Sequence, residues 1–136
     1  MTEKLHENWL KFAFDDLCSA EILLAAGIFN MVCFHAQQCV EKTIKALLAA
    51  LRQPLPRSHN LIRLRQMAEE ALGYSVDIDS EVLRFLNDIY LDSRYPQELG
   101  LLPEGQPGAA DAQRALTGAQ KIYSDLKALI DQTISP

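Results

Sequence analysis

The sequence of 136 residues has few cysteines, no long apolar run and no glycine-rich loop after a strand. Its three cysteines, Cys18, Cys33 and Cys39, are an odd number without the spacing of metal ligands, which argues against a disulfide framework and a zinc site. The longest apolar run is far shorter than the ~20 residues of a membrane span. The first seven residues lack an apolar stretch after a basic start, so no secretion signal is expected. These absences predict a cytoplasmic protein with no membrane segment, no metal and no cofactor.

Positive charge is scarce and unevenly distributed. The chain has 13 Lys and Arg against 18 Asp and Glu, a formal net charge of −5. Between positions 42 and 65 there is no acid, and this window holds six cations: Lys42, Lys45, Arg52, Arg57, Arg63 and Arg65. This asymmetry favours a local anion-binding site on an otherwise acidic protein, and a chance cluster on a solvated surface is the alternative.

Apolar residues recur at intervals of three and four in every long segment, and none alternates with period two. Gly27 and Gly73 are predicted to close the first and third helices in the left-handed conformation. Asn30 and Ser58 are predicted as the N-caps of the second and third helices, and the fourth begins near Asp79. The pattern predicts five helices, over residues 5–26, 30–51, 58–72, 79–95 and 109–134, with a Pro- and Gly-rich loop over 97–108. Short connections then predict one domain over residues 1–136, an all-α, up-and-down antiparallel bundle.

The second predicted helix carries a polar side opposite its apolar face. Its polar residues are His35, Gln38, Glu41, Lys42 and Lys45. Glu41 and Lys45 are four residues apart, in the order that favours an ion pair on a helix. One interpretation is a solvated face whose single ion pair contributes only a few tenths of a kcal/mol. The other is the polar wall of a groove, in which Lys42 and Lys45 bind an anion.

The fourth predicted helix ends in a second candidate motif, Tyr90-Leu91-Asp92-Ser93-Arg94-Tyr95-Pro96. Arg94 lies four residues after Tyr90, so both project from one helical face. Tyr95 precedes proline and is therefore pushed out of helical geometry. Arg94 is either a cation favoured at a helix C-terminus or a phosphate-binding guanidinium beside tyrosine rings that stack on a base.

Four motifs follow one another along nearly the whole chain. They are Asp16-Leu17 with Ala20, Ala36-Gln37-Gln38 leading into Glu41-Lys42-x-x-Lys45-Ala46-Leu47, Ser58-His59-Asn60-Leu61, and Tyr90-x-x-Ser93-Arg94-Tyr95-Pro96. Together they resemble the HEPN domain, the higher eukaryotes and prokaryotes nucleotide-binding domain. The resemblance implies a helical bundle similar to the substrate-binding subunit of a nucleotidyltransferase.

The resemblance also implies a function. It implies a homodimer that binds a nucleotide or an RNA phosphate and partners a minimal nucleotidyltransferase in a toxin–antitoxin-like pair. The positions that match the family motifs are Lys42, Lys45, His59, Arg94 and Tyr95. In this hypothesis Tyr95 stacks on the base or orients Arg94, and Gln38 and Glu41 fix the lysines or contact sugar and base edges.

Many HEPN proteins are metal-independent ribonucleases that use an arginine followed, four to six residues on, by a histidine in the later helices. No histidine follows Arg94. Arg52 and His59 match the spacing, but two prolines place them in an interhelical loop, so we interpret this match as coincidence. The sequence thus favours binding without catalysis. The alternatives are a ribonuclease toxin whose dimer combines Arg94 with His59, and a non-binding subunit that only interacts with a nucleotidyltransferase.

Overall fold

A computed structural model describes residues 4–94 and 106–134, with the backbone alone for residues 90–94. The described residues form five helices and no strand: α1 (Leu5–Ala26), α2 (Phe29–Ala50), α3 (Leu61–Leu72), α4 (Ser80–Arg94) and α5 (Ala109–Ile134). This confirms the predicted all-α bundle. None of these helices has both the length and the apolar character needed to cross a membrane.

Helix α2 is the centre of the bundle, because each of the other four helices packs against it. Small side chains that are fully buried, among them Cys33, Ala36 and Cys39, let the neighbouring helices approach closely. Burial extends to the polar side of α2, where Glu41 is 4% and Lys45 is 6% exposed. The interpretation as a solvated face is therefore wrong for Glu41 and Lys45, whereas the other polar residues of that side, His35, Gln38 and Lys42, remain partly exposed.

Three predicted helix ends are confirmed. Gly27 and Gly73 have φ angles of 77° and 83°, the left-handed conformation that closes α1 and α3. Asp79 precedes α4, and its Oδ1 accepts hydrogen bonds from the backbone N–H groups of Glu81 and Val82. These ends could be predicted because each depends on one local residue type: a glycine that closes a helix or an aspartate that caps one.

Two predicted N-caps are wrong. Asn30 lies inside α2, because the turn at the end of α1 brings Ile28 into the N-cap position and the helix starts at once. Asn60, not Ser58, caps α3: its Oδ1 accepts from the N–H groups of residues 62 and 63 at 3.0 and 3.1 Å. Ser58 Oγ instead accepts from the N–H of Asn60 at 3.1 Å.

Arg52 has a φ of 58°, in the left-handed region that favours glycine. It follows α2, where its N–H donates to the carbonyl of Ala49 and the N–H of Gln53 donates to the carbonyl of Leu48. These two bonds close α2 in a Schellman motif. An arginine therefore occupies a position where the backbone prefers glycine.

Helices α4 and α5 approach closely at Gly118 of α5. A Cβ atom added there would lie 2.7 Å from Cγ1 of Val82, so only glycine fits without displacement. The predicted exit near Tyr95 and residues 97–105 of the predicted loop lie outside the described part of the chain. Residues 106–108 are described, and they precede α5 without helical structure.

Candidate functional site

Asp16 of α1 turns a buried carboxylate toward α2. Its Oδ1 lies 2.8 Å from Nδ1 of His35, and its Oδ2 accepts from Nζ of Lys42 at 2.6 Å. His35 and Lys42 are seven residues apart, so they share one side of α2. Both remain partly exposed, and a ligand can therefore reach this cluster from solvent.

A second cluster, again made of a carboxylate, a lysine and a histidine, is centred on Glu41 of α2. Its carboxylate accepts from Nζ of Lys45 at 3.1 Å and lies 3.0 Å from Nδ1 of His59, which belongs to the α2–α3 connection. Because a carboxylate only accepts, this contact places a proton on Nδ1 of the imidazole. The His59 side chain is 57% exposed, while Glu41 is buried behind it. Glu41 therefore orients an imidazole that solvent reaches.

Two glutamines extend this polar network. Gln38 donates to Oε1 of Gln37 at 2.7 Å, and Gln37 donates to Glu41 and to the carbonyl of His59, each at 3.3 Å. Trp9 of α1 adds its ring, whose centre lies 5.7 Å from Nζ of Lys45. We call this surface the α2 polar edge, defined by His35, Gln37, Gln38, Glu41, Lys42, Lys45, His59 and Asp16.

The two lysines of the α2 polar edge are balanced by two carboxylates. Lys42 is paired with Asp16, and Lys45 with Glu41. The sequence reasoning gave both lysines to an anion and did not include Asp16 in the site. A signal was available, since Asp16 is an acid within the apolar stripe of α1, where a charge requires a partner.

The remaining cations of the 42–65 window divide into two groups. Arg65 is fully engaged: it donates to Glu69 at 3.3 Å, to Ser80 at 3.0 Å and to the carbonyl of Val76 at 2.8 Å, bracing α3 against the start of α4. The other three are exposed and form no ion pair or hydrogen bond through their side chains to residues 4–94 or 106–134; they are Arg52, Arg57 and Arg63.

Helix α4 approaches the α2 polar edge near the start of α3. Oδ1 of Asn87 accepts from the N–H of Leu61 at 2.9 Å, two residues after His59. Arg94 ends α4 two helical turns beyond Asn87. The side chain of Arg94 and the whole of Tyr95 lie outside the described residues, so their convergence with the lysines stays a prediction.

The cysteines take no part in this site. Cys33 and Cys39 are fully buried, and burial raises the pKa of each thiol to about 12. This confirms the interpretation of these two residues as small buried apolar groups; Cys18 is half-buried.

The geometry defines a class of protein: an all-α antiparallel bundle whose central helix carries a buried polar network that opens to solvent at one edge. The profile of the HEPN domain matches residues 6–129. The chain therefore belongs to the HEPN family.

Two solved structures are similar to this chain over almost their full lengths. TT1696 from Thermus thermophilus is 26% identical, with a TM-score of 0.69, and the match covers 90% of this chain and 96% of that one. ST0689, an archaeal HEPN homologue, is 28% identical with the same TM-score of 0.69, covering 92% and 97% respectively. A comparison with curated proteins found no match.

Proposed function

We propose that this protein binds the phosphate group of a nucleotide or of RNA at the α2 polar edge, in the cytoplasm. The observation that supports the proposal is that Lys42, Lys45 and His59 each contact a buried carboxylate on the polar side of the central helix, Lys42 that of Asp16 and the other two that of Glu41. Buried carboxylates that fix cationic and imidazole donors preorganise a site for an anion, since less conformational freedom is lost when the ligand binds.

The exposures of the side chains suggest different roles for the two lysines. Lys42 and His59 are partly open to solvent and are proposed to contact the phosphate oxygens. Lys45 is almost fully buried against Glu41. We assign it a positioning role: it neutralises Glu41, which in turn orients His59.

Three further residues complete the proposed site. Gln38 lies on α2 between the two clusters, and its amide is suited to a sugar or base edge. Arg94, at the end of α4, is proposed to add a guanidinium that contacts two phosphate oxygens. Tyr95 is proposed to stack on the base or to orient Arg94.

The carboxylates that pair with the lysines compete with phosphate for these cations. A phosphate that approaches Lys42 competes with Asp16, whose Oδ2 is 2.6 Å from the ammonium. We therefore expect Asp16→Asn to strengthen phosphate binding, because the substitution removes the competing charge and keeps a hydrogen-bonding side chain. A merely structural Asp16–Lys42 pair predicts no gain in affinity.

The test is equilibrium binding of ATP and of a short RNA to purified variants. The double variant Lys42→Ala/Arg94→Ala is expected to lose roughly ten- to one-hundred-fold in affinity, the loss typical of hydrogen bonds to charged groups. Lys121→Ala is the matched control, because Lys121 forms a similar pair with Asp125 at 2.9 Å on α5, away from the α2 polar edge. Unchanged affinity in the double variant discards this site.

A second function, metal-independent RNA cleavage, is favoured by one observation. The Glu41–His59 contact fixes an exposed imidazole as general acid–base groups are fixed in enzymes. The test is RNA cleavage in the presence of EDTA. Product that forms with the natural protein and disappears with His59→Ala supports cleavage, and absence of product from the natural protein leaves binding as the function.

We also propose that the protein is a homodimer. Helix α1 exposes the large apolar side chains of Leu5, Phe12, Phe14 and Ile22, and a subunit interface along α1 would remove such side chains from water. Phe12→Lys/Ile22→Lys is expected to be monomeric in sedimentation equilibrium. Tyr74→Lys, which changes an equally exposed apolar residue after α3, is expected to stay dimeric.

The proposed partner is a minimal nucleotidyltransferase, as HEPN membership suggests. Co-purification with the product of the neighbouring gene, and that product's identity, test the partnership. If the partner binds and the chain binds neither ATP nor RNA, the protein is an interaction subunit without a nucleotide site.

A further inference from the structure

A pocket of about 560 Å³ lies between α5, the first turn of α4 and the connection that precedes α4. Apolar side chains form much of its lining, among them Ile78, Val82 and Ile122. None of the residues that line it belongs to the α2 polar edge. A pocket of this volume accommodates a small ligand.

The bottom of the pocket is closed at Gly118 of α5. A Cβ atom added at this glycine would lie 2.7 Å from Cγ1 of Val82 and 3.7 Å from Cδ1 of Leu86, which is fully buried. The two helices therefore touch at this point. Arg114, Gly118 and Ile122 are spaced by four residues, so they follow one another along one face of α5 and all three line the pocket.

Arg114 places an oriented cation at one end of this face. Its Cζ lies 4.1 Å from the centre of the Phe85 ring, so the face of the guanidinium is covered and the N–H donors at its edge remain available. Its side chain forms no ion pair or hydrogen bond within the part of the chain that the structure describes. Asp111, one turn before it, accepts instead from the N–H of Gly108 at 3.0 Å.

The charged groups at the other end of the pocket already have partners. Nζ of Lys121 donates to Oδ2 of Asp125 at 2.9 Å, and this hydrogen bond, together with the charges of Asp125 and Asp77, raises the pKa of Lys121. Oδ1 of Asp79 accepts from two backbone N–H groups in the first turn of α4. Arg114 is therefore the lining cation whose donors are not used by a described residue.

We infer that this pocket binds a carboxylate with an apolar body, of the medium-chain fatty-acid class. The Arg114 guanidinium is suited to two parallel hydrogen bonds with the carboxylate. The apolar chain then lies along α5 toward Ile122. Between these two residues α5 rises about 12 Å, so an extended chain of roughly eight carbon atoms fits.

The distribution of charge around the pocket fixes the sign and the direction of the ligand. A carboxylate at the far end meets the acids Asp77, Asp79 and Asp125, which outnumber Lys121. An ammonium group at the near end meets the Arg114 guanidinium. The remaining arrangement, a carboxylate at Arg114 with the chain over the apolar lining, avoids both repulsions.

The test is titration of the full chain with octanoate, followed by amide NMR shifts. Octan-1-ol, which has the same chain without the charge, and acetate, which has the charge without the chain, are the ligand controls. We expect octanoate to bind more tightly than either control, with shifts at residues 78–82 and 110–122.

Two variants separate the head-group contact from the apolar contact. Arg114→Gln is expected to weaken octanoate binding roughly ten- to one-hundred-fold and to leave octan-1-ol binding unchanged. Thr117→Phe, a change at an exposed lining residue, fills the pocket and is expected to weaken binding of both. Lys127→Gln is the matched control, because Lys127 is an exposed cation of α5 that does not line this pocket.

The outcome is independent of the phosphate site, because Lys42→Ala is expected to leave octanoate binding unchanged. Three results overturn the inference: no shift with octanoate at millimolar concentration, equal binding of octanoate and octan-1-ol, or the same octanoate affinity in Arg114→Gln and Lys127→Gln.

Discussion

Replacement of Lys45 by methionine is expected to destabilise this protein much more than the same replacement of Lys42. Both lysines pair with a carboxylate, but the Lys45 and Glu41 side chains are 8% and 5% exposed, whereas Lys42 is 27% exposed. Removal of one member of a buried pair strands a charge in the core and costs about 3–5 kcal/mol. A pair that solvent reaches contributes about 1 kcal/mol or less.

Two remaining contacts moderate the cost of Lys45→Met. Nδ1 of His59 lies 3.0 Å from the Glu41 carboxylate, and Gln37 donates to it at 3.3 Å. We therefore expect the lower end of the range, about 3 kcal/mol. For a chain of 136 residues, an unfolding entropy of about 2.1 cal/mol/K per residue converts this loss into a fall in Tm of about 10 °C.

Urea unfolding followed by far-ultraviolet circular dichroism measures the difference. The double variant Glu41→Gln/Lys45→Met is the control, because it removes the stranded charge and keeps a polar partner for Gln37. It is expected to recover most of the lost stability. The reasoning is refuted if Lys45→Met costs no more than Lys42→Met, or if the double variant is no more stable than Lys45→Met.

Three further predictions follow from the packing. Gly118→Ala is expected to lower the Tm, because overpacking against Val82 costs about 1–3 kcal/mol and the gain in helix propensity is only about 1 kcal/mol. The double variant Gly118→Ala/Val82→Ala should restore the Tm. Arg52→Gly is expected to raise the free energy of unfolding by up to about 1 kcal/mol in urea, because it relieves a left-handed non-glycine residue; a decrease contradicts this. Burial raises the pKa of Cys33 and Cys39 from 9.0 to about 12. Above pH 9 the thiols of the unfolded chain ionise while the buried ones stay protonated, so the contribution of the two thiols to the free energy of unfolding is complete below pH 9 and is lost as pH rises toward 12. Unfolding between pH 8 and 12 should therefore show a steeper loss in the natural protein than in Cys33→Ala/Cys39→Ala, and parallel curves refute the assignment.

The helices could be predicted because their signals are local. Apolar spacing located α1 and α5 from end to end, and the glycines that close α1 and α3 adopt the expected left-handed conformation. The N-caps were less predictable, since Asn30 and Ser58 are as suitable by chemistry as Asn60. Which residue caps a helix depends on where the chain turns, and contacts with the preceding helix influence that turn.

The candidate site was predicted only in part. Helical spacing placed Lys42 and Lys45 on one edge of α2, and they do lie there. The Glu41–Lys45 pair follows from the same spacing, but the contacts between different elements were not apparent, because Asp16 reaches Lys42 from 26 positions away and His59 reaches Glu41 across 18 positions. No periodicity within one helix carries that information.

Periodicity and turn chemistry are properties of neighbouring residues, so they were enough to establish five helices, and the order of four short motifs was enough to indicate the family. Whether Glu41 and Lys45 face water or the core was decided by the other helices. A polar residue on α2 is exposed or buried according to what packs over it: Glu41 and Lys45 are covered, whereas His35 and Lys42 stay partly exposed. The same sequence pattern on a peripheral helix describes a solvated surface, and only the packing of the bundle converts it into a buried ionic network.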